Sequence, residues 1–228
     1  MHVAETLNDL ETTLDREHFD PVEHAVRGRL NAWFFRAMDR HLHASYGGLK
    51  RELFGGLPHT IVELGAGAGA NFRYLRRGTN VVAIEPNRHM HRHLQASAAR
   101  HGVTVDVRAA TVERLPLPDA GVDAVISSLV LCSVSDPRRA LAEVRRVLRP
   151  GGRFWCLEHV AAAEGSVVQR VQRAVRRPWR WVFEGCDTQR DLGRLLREAG
   201  FASVEVTAFT QRTSFVPVRP HIAAVAVR

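Results

Sequence analysis

Lysine is nearly missing from this chain. Lys50 is the only one, so almost all of the positive charge is arginine. The formal net charge of +8 would suit nucleic acid or an anionic surface. An excess made of arginine alone reads instead as a compositional bias, and no nucleic-acid partner is expected. Cysteine is scarce as well. Cys132, Cys156 and Cys186 are odd in number and have no metal-ligand spacing. That excludes a disulfide scaffold, and the expectation is free thiols in a reducing compartment and no bound metal. No apolar run reaches the length of a membrane span, and the N-terminus has no signal-peptide pattern. A cytoplasmic protein is expected, with at most weak surface association. With 228 residues and 45% hydrophobic content, the chain can bury one full α/β core plus some extra helix.

The chain is organised around Ile61 to Phe72, which runs Ile-Val-Glu-Leu-Gly-Ala-Gly-Ala-Gly-Ala-Asn-Phe. It reads as a short buried strand, a glycine-rich turn and a helix start. Glycine at such a turn lets backbone approach a ligand closely, and a helix N-terminus adds free N–H groups. Gly65, Gly67 and Ala70 also fit the relaxed dinucleotide fingerprint. Glu63 decides between ligands. A dinucleotide strand usually carries an apolar residue there, whereas a carboxylate suits an ammonium or sulfonium group. S-adenosylmethionine has both, and a nicotinamide oxidoreductase is disfavoured.

Before this core, residues 1–57 read as an N-terminal helical cap. Asp20-Pro21 gives a start signal, and Leu30, Trp33, Phe34 and Met38 recur at helical spacing. Gly47-Gly48 and Gly55-Gly56 mark breaks. After the glycine turn, Val81 to Ile84 is a second buried strand, ending in Glu85-Pro86-Asn87. Glu85 stands where doubly wound folds put an acid on the ribose hydroxyls. His89 and His93 share a helical spacing but have no acidic or cysteine partner nearby, so a solvated face is expected. Val103 to Val107 is the third strand, followed by Thr111-Val112-Glu113. Ala124 to Leu131 is the fourth, running into Cys132-Ser133-Val134. Arg153 to Glu158 is the fifth and delivers His159 to the same sheet edge. Residues from about 162 to 187 form an insertion in which Arg170, Arg173, Arg176, Arg177 and Arg180 alternate with Val171, Val175, Trp179, Trp181, Val182 and Phe183. A lid over an apolar pocket is favoured over a membrane patch. A helix from Asp191 to Ala199 and a closing antiparallel strand pair complete the chain.

The spacing of Glu63, Gly65, Gly67 and Gly69 resembles the first motif of class I methyltransferases. Residues 58–228 fit that fold: a Rossmann-like α/β domain with a seven-stranded, mostly parallel sheet and an antiparallel last strand. Narrower stretches are similar to the methyltransferase-like seven group, which are thiol S-methyltransferases. These are Leu131-Cys132-Ser133-Val134, Glu158-His159, Phe183-x-Gly185-Cys186 and Arg219-Pro220-His221. Members of that group carry an N-terminal hydrophobic membrane anchor, which this chain is expected to lack.

The resemblance implies S-adenosylmethionine as cofactor and a small, largely apolar acceptor, most readily a thiol. It places the cofactor on Glu63, Gly65, Ala66, Gly67, Asn71, Glu85, Pro86, Asn87, Val112, Glu113, Ser128 and Leu129. The class usually has an acid where Thr111 stands, so the adenine contact falls to backbone near Val112 and Glu113. Cys132, Trp181, Phe183 and His221 are expected around the acceptor. His159 is expected as general base, because histidine titrates near neutral pH. O- or N-methylation of a natural product is the alternative chemistry, and a non-catalytic cofactor-binding or nucleic-acid-associated module is the alternative of another kind.

Overall fold

The computed structural model describes residues 25–213 and 215–228. The Asp20-Pro21 start signal and the side chains of Leu30 and Phe34 lie outside what is described. Seven strands form one sheet: β1 (Thr60–Leu64), β2 (Asn80–Ile84), β3 (Thr104–Arg108), β4 (Val122–Ser128), β5 (Leu148–His159), β6 (Ser203–Thr210) and β7 (Pro220–Val227). Their order is β3-β2-β1-β4-β5-β7-β6. The first five run parallel, and β7 lies antiparallel to both β5 and β6. This is the expected doubly wound sheet with its antiparallel last strand.

The described helices are α1 (Ala25–Phe54), α2 (Arg88–His101), α3 (Pro137–Val147), α4 (Val167–Val182) and α5 (Leu192–Glu198). Local chemistry sets their ends. The Asn87 side chain accepts from His89 N at the start of α2, and Gly102 ends that helix at φ 67. Asp136 caps α3 ahead of Pro137, and Ser166 and Asp191 cap α4 and α5. Apolar Ala140, Leu141, Val144 and Val147 recur every three or four residues on α3, and all four are fully buried against one face of the sheet. Each such Leu or Val contributes about 1.5–3 kcal/mol. Phe54, Phe72, Val81 and Leu94 belong to a second core cluster, to which α1 and α2 contribute.

Two sequence expectations are corrected here. Gly47-Gly48 does not interrupt α1. Gly47 is buried, and a Cβ there would meet the His43 ring at 3.2 Å and the Tyr74 hydroxyl at 3.5 Å, so its bareness serves packing. Gly55-Gly56 does end the helix.

The helix expected after the glycine turn is also absent. Only a single 3-10 turn, Phe72–Tyr74, forms there, closed by bonds such as Tyr74 N to Asn71 O and Leu75 N to Phe72 O. α1 packs on this turn instead: His43 Nδ1 meets the Tyr74 hydroxyl at 2.7 Å, and Arg73 is paired with Asp39 at 2.6 Å. Among the described residues, no helix is long and apolar enough to cross a membrane.

Candidate active site

The carboxyl ends of β1, β2, β4 and β5 open into one cavity of about 950 Å3. It lies at the point where strand order reverses, between β1 and β4, as open α/β sheets place their ligands. Gly65, Ala66, Gly67, Asn71, Glu85, Pro86, Asn87, Val112, Glu113, Ser128, Leu129, Cys132, His159, Phe183 and His221 all line it. The sequence-predicted residues therefore meet, with two exceptions treated below.

The turn after β1 is built from left-handed glycines, Gly65, Gly67 and Gly69, at φ 55, 56 and 75. They serve different ends. A Cβ on Gly65 would strike Val130 at 2.6 Å, and one on Gly69 would strike Phe72 and Ser97 at 2.9 Å. A Cβ on Gly67 would come no nearer than 4.0 Å to protein. Its open side faces the cavity, so Gly67 is the point of close backbone approach. With no helix behind it, the turn is held by Glu85. One Glu85 oxygen accepts from Gly67 N at 2.8 Å and the other from Asn87 N at 2.8 Å. Burial raises the Glu85 carboxyl above its ordinary range, against the pull of those two N–H groups.

Glu63 is the first exception. It is 1% exposed and lies beneath the cavity floor rather than on it. Asn71 Nδ2 donates to Glu63 Oε1 at 2.7 Å, and Lys50 Nζ donates to Asn71 Oδ1 at 2.7 Å. Lys50 and Asn71 line the cavity, so Glu63 reaches it only through Asn71. Burial pushes the Glu63 carboxyl up to about 7 and brings the Lys50 ammonium down to about 8. The chain's single lysine is thus 8% exposed and inside the site, a placement its isolation in sequence did not reveal.

The β4 loop carries strain. Leu129 adopts φ 60, which a non-glycine residue does at a cost of roughly 1–3 kcal/mol. This is why β4 stops at Ser128 and not at Leu131. Glu158, fully buried, braces the loop by accepting from Ser127 Oγ at 2.7 Å, Val130 N at 3.0 Å and Leu131 N at 3.2 Å. Glu113 braces its far end by accepting from Ser135 N at 2.7 Å. Ser128 Oγ is buried and has no hydrogen-bond partner.

At the opposite end of the cavity stand Cys132, His159 and Cys186, all buried. Their ligating atoms lie within 4.8 Å of one another. Spacing in the sequence gave no hint of this, because the three come from the β4 loop, the end of β5 and the segment after α4. His159 Nε2 lies 3.1 Å from Cys186 Sγ, and Trp179 Nε1 donates to the same sulfur at 3.2 Å. The Cys186 thiol is held well below its ordinary range, first by the Cys132 thiol and then by His159 and Trp179. Cys132 is pushed up by Cys186 and by burial. With Nε2 facing a sulfur, the buried Nδ1 is the ring nitrogen of His159 left without a partner.

His221, by contrast, has both ring nitrogens engaged. Its Nδ1 donates to Arg219 O at 3.1 Å, and its Nε2 meets the Tyr46 hydroxyl at 3.0 Å. Burial brings His221 down to about 4 and raises Tyr46 to about 12, so both are neutral near pH 7. Tyr46, from α1, was not legible as a site residue.

Trp181 is the second exception. It is 68% exposed and outside the cavity. Two residues along a helix turn by about 200°, and Trp179 faces inward in its place. Trp179 packs on Phe183 with ring centroids 4.4 Å apart. α4 is pinned rather than loose. The buried Gln172 side chain donates to Pro217 O at 2.8 Å and accepts from Ala162 N at 2.9 Å, and Arg176 pairs with Asp187 at 2.7 Å.

Comparison with known proteins agrees with this geometry. Residues 62–156 match a family profile described as a methyltransferase domain. The chain is 36% identical over 190 residues to the human thiol S-methyltransferase TMT1A, covering 78% of each chain. The rat thiol S-methyltransferase TMT1B is 35% identical over the same length and coverage. Among solved structures, a Thermotoga maritima protein described as an S-adenosylmethionine-dependent methyltransferase, possibly acting on histamine, superposes with TM-score 0.61. That match has 20% identity and covers 88% of this chain and 99% of that one. At that identity the likeness speaks for the fold alone.

Proposed function

Because the chain belongs to the thiol S-methyltransferase family of S-adenosylmethionine-dependent methyltransferases, we propose that its acceptor is a small, largely apolar thiol. The cofactor, when bound, supplies a methyl group on a sulfonium centre. The residues fit such a ligand: a turn whose Gly67 would be filled by any Cβ, an anchored acid at Glu85, and a buried unpartnered hydroxyl at Ser128. Gly65, Ala66 and Gly67 offer backbone. Glu85, with Pro86 and Asn87, takes the ribose side, and Val112 and Glu113 flank the adenine side. Lys50 and Asn71 face the amino-acid portion, with Glu63 as a positioning residue behind them. Ser128 and Leu129 border the reacting end.

The acceptor lies between that end and α4, with Trp179, Phe183, His221 and Cys132 as its wall. A thiol has an ordinary pKa near roughly 8.5, so ionising it requires modest help, and alignment of the sulfur with the methyl supplies much of the acceleration. The cluster of Cys132, His159 and Cys186 sets that ionisation. Of the 1–57 segment, the described residues 25–57 act as a cap over a methyltransferase domain of residues 58–228, and three free cysteines favour a cytoplasmic setting.

The observation that supports this most is one cavity lined by both the glycine turn and a buried cysteine–histidine–cysteine cluster. The test is incubation of the purified protein with S-adenosylmethionine and a panel of small thiols, phenols and amines, with products read by mass. Thioether products are expected. Methylation confined to phenols or amines would overturn the thiol assignment.

A further inference from the structure

We propose that Cys132, His159 and Cys186 form a site for a soft divalent cation of the zinc type, and that the acceptor thiol is bound there as a thiolate. This rests on the thiol reading above and names what ionises the acceptor.

The donor set selects the cation. Two sulfurs and one imidazole nitrogen suit zinc, and the absence of carboxylate among the three argues against magnesium or calcium. Size agrees. With Zn–S near 2.3 Å and Zn–N near 2.0–2.1 Å, tetrahedral donors stand roughly 3.5–3.8 Å apart. Here every pair lies within 4.8 Å, and the closest given contact, Nε2 to Sγ, is 3.1 Å. Small side-chain rotations would bring the three to bonding distance.

The backbone already holds the donors together. Asp187 N donates to Cys132 O at 2.8 Å, joining the two cysteine loops. Gly185, at φ 92, lets them touch, since a Cβ there would come within 3.1 Å of Ser133 O. Arg190 adds a bond to Val134 O at 2.9 Å. His159 is fixed by the β5–β7 pairing opposite His221. The sulfurs have outer partners of the kind that support metal thiolates, Trp179 Nε1 on Cys186 at 3.2 Å and Ser133 Oγ near Cys132 at 3.6 Å.

Three protein ligands leave one position of a tetrahedron open, the arrangement of catalytic rather than structural zinc. All three residues line the cavity, so that open position faces the acceptor space. The chemistry balances. An acceptor R–SH coordinates through sulfur and releases its proton to solvent. The acceptor's S–CH3 bond then forms as the methyl–sulfonium bond breaks. The electron pair of the broken bond stays on the cofactor sulfur, S-adenosylhomocysteine leaves, and the neutral methylated product leaves the cation. Coordination lowers the acceptor's pKa, so the thiolate is available at neutral pH with His159 acting as a ligand rather than as a free base.

The test uses the full chain, purified under reducing conditions, freed of metal with a chelator and titrated with zinc alone. One zinc per chain is expected, and a cobalt replacement should show thiolate-to-metal charge transfer that shifts when a small thiol is added. Cys132→Ser, Cys186→Ser and the double variant should each lose more than about 100-fold in zinc affinity, beyond what loss of an outer partner costs. Their affinity for S-adenosylmethionine, measured separately, reports that the fold is intact. No zinc uptake by the reduced protein, or uptake unchanged in the double variant, overturns the inference. So does thiol methylation equally fast with and without metal, an outcome that leaves the thiol reading standing. A protein that binds zinc at these residues yet methylates no thiol supports the site and overturns the acceptor reading instead.

Discussion

At one end of the cavity most groups come from short, contiguous stretches, the turn after β1, the end of β2 and the first residues after β4, with Lys50 reaching in from α1. They are mostly backbone N–H groups and one anchored carboxylate. At the other end the side chains of α1, β5, α4, the segment after α4 and β7 converge, and each is already engaged with another side chain. The first end depends on φ values that only certain residues adopt. The second depends on long-range packing between parts of the chain far apart in sequence. A turn of backbone is intolerant of a single Cβ. A wall of interlocked side chains yields gradually.

The largest effect should therefore come from the smallest addition. Gly67→Val forces a branched residue into φ 56 and projects it toward the ligand. We expect cofactor affinity to fall by more than about 100-fold, with strain of roughly 1–3 kcal/mol in the fold. Calorimetric titration beside a thermal melt checks both. Normal affinity would mean that the turn is not where the cofactor lies.

His159→Ala should strike the other end only. Loss of a group that governs proton chemistry typically costs about 10²–10⁴-fold, and a thiol acceptor places this variant near the lower figure. Raising the pH should recover much of the loss, because the acceptor then ionises unaided. The check is a pH–rate profile of both proteins, with cofactor affinity measured separately. Parallel profiles would make His159 a passive wall and remove the contrast between the two ends.

That contrast also separates what sequence reveals from what it hides. Glu63, the glycines and Glu85 follow strand ends at spacings that backbone geometry sets, so the fold, and the meeting of the glycine turn with Glu85 in one cavity, were legible. Cys132 and Cys186 lie far apart in sequence, and no local spacing records their meeting. The sequence expectation falls on Trp181 and the structure turns Trp179 inward, because composition marks an aromatic but not the side of the helix it faces. The missing helix after Gly69 was hidden for another reason: α1, from the N-terminal extension, packs where that helix was expected to begin. Lys50 was visible as a solitary lysine, but only the packing of α1 on the turn sets it beside Asn71.

Lys50, beside Asn71, gives an intermediate effect. Burial brings its ammonium down to about 8. A bound anion such as the cofactor's carboxylate would favour the charged form. Affinity owed to Lys50 is therefore fully present below about pH 8, the ligand-free value, and is lost progressively as pH rises from there toward the raised value of the bound state. The cofactor's own amino group titrates nearby, so the useful quantity is the difference between wild type and Lys50→Met. That difference should be about tenfold at pH 7, as for loss of a charged hydrogen bond, and should shrink toward pH 9. A constant difference across that range would remove Lys50 from the cofactor's charge recognition.

The smallest effect should come from the two tryptophans, and it tests the acceptor end alone. Trp179 packs on Phe183 at 4.4 Å and donates to Cys186, whereas Trp181 is exposed on the outer side of α4. Trp179→Ala removes part of the acceptor wall and an N–H bond to sulfur, so KM for apolar thiols should rise about three- to tenfold, the range of losing one neutral hydrogen bond. Cofactor affinity should stay unchanged, because Trp179 makes no bond to the glycine turn, Glu85 or Asn71. Trp181→Ala should leave both constants at wild-type values. If Trp181→Ala raises KM and Trp179→Ala does not, then α4 presents its other face to the acceptor, and the pinned position given by Gln172 and Arg176 is not the one in which the enzyme works.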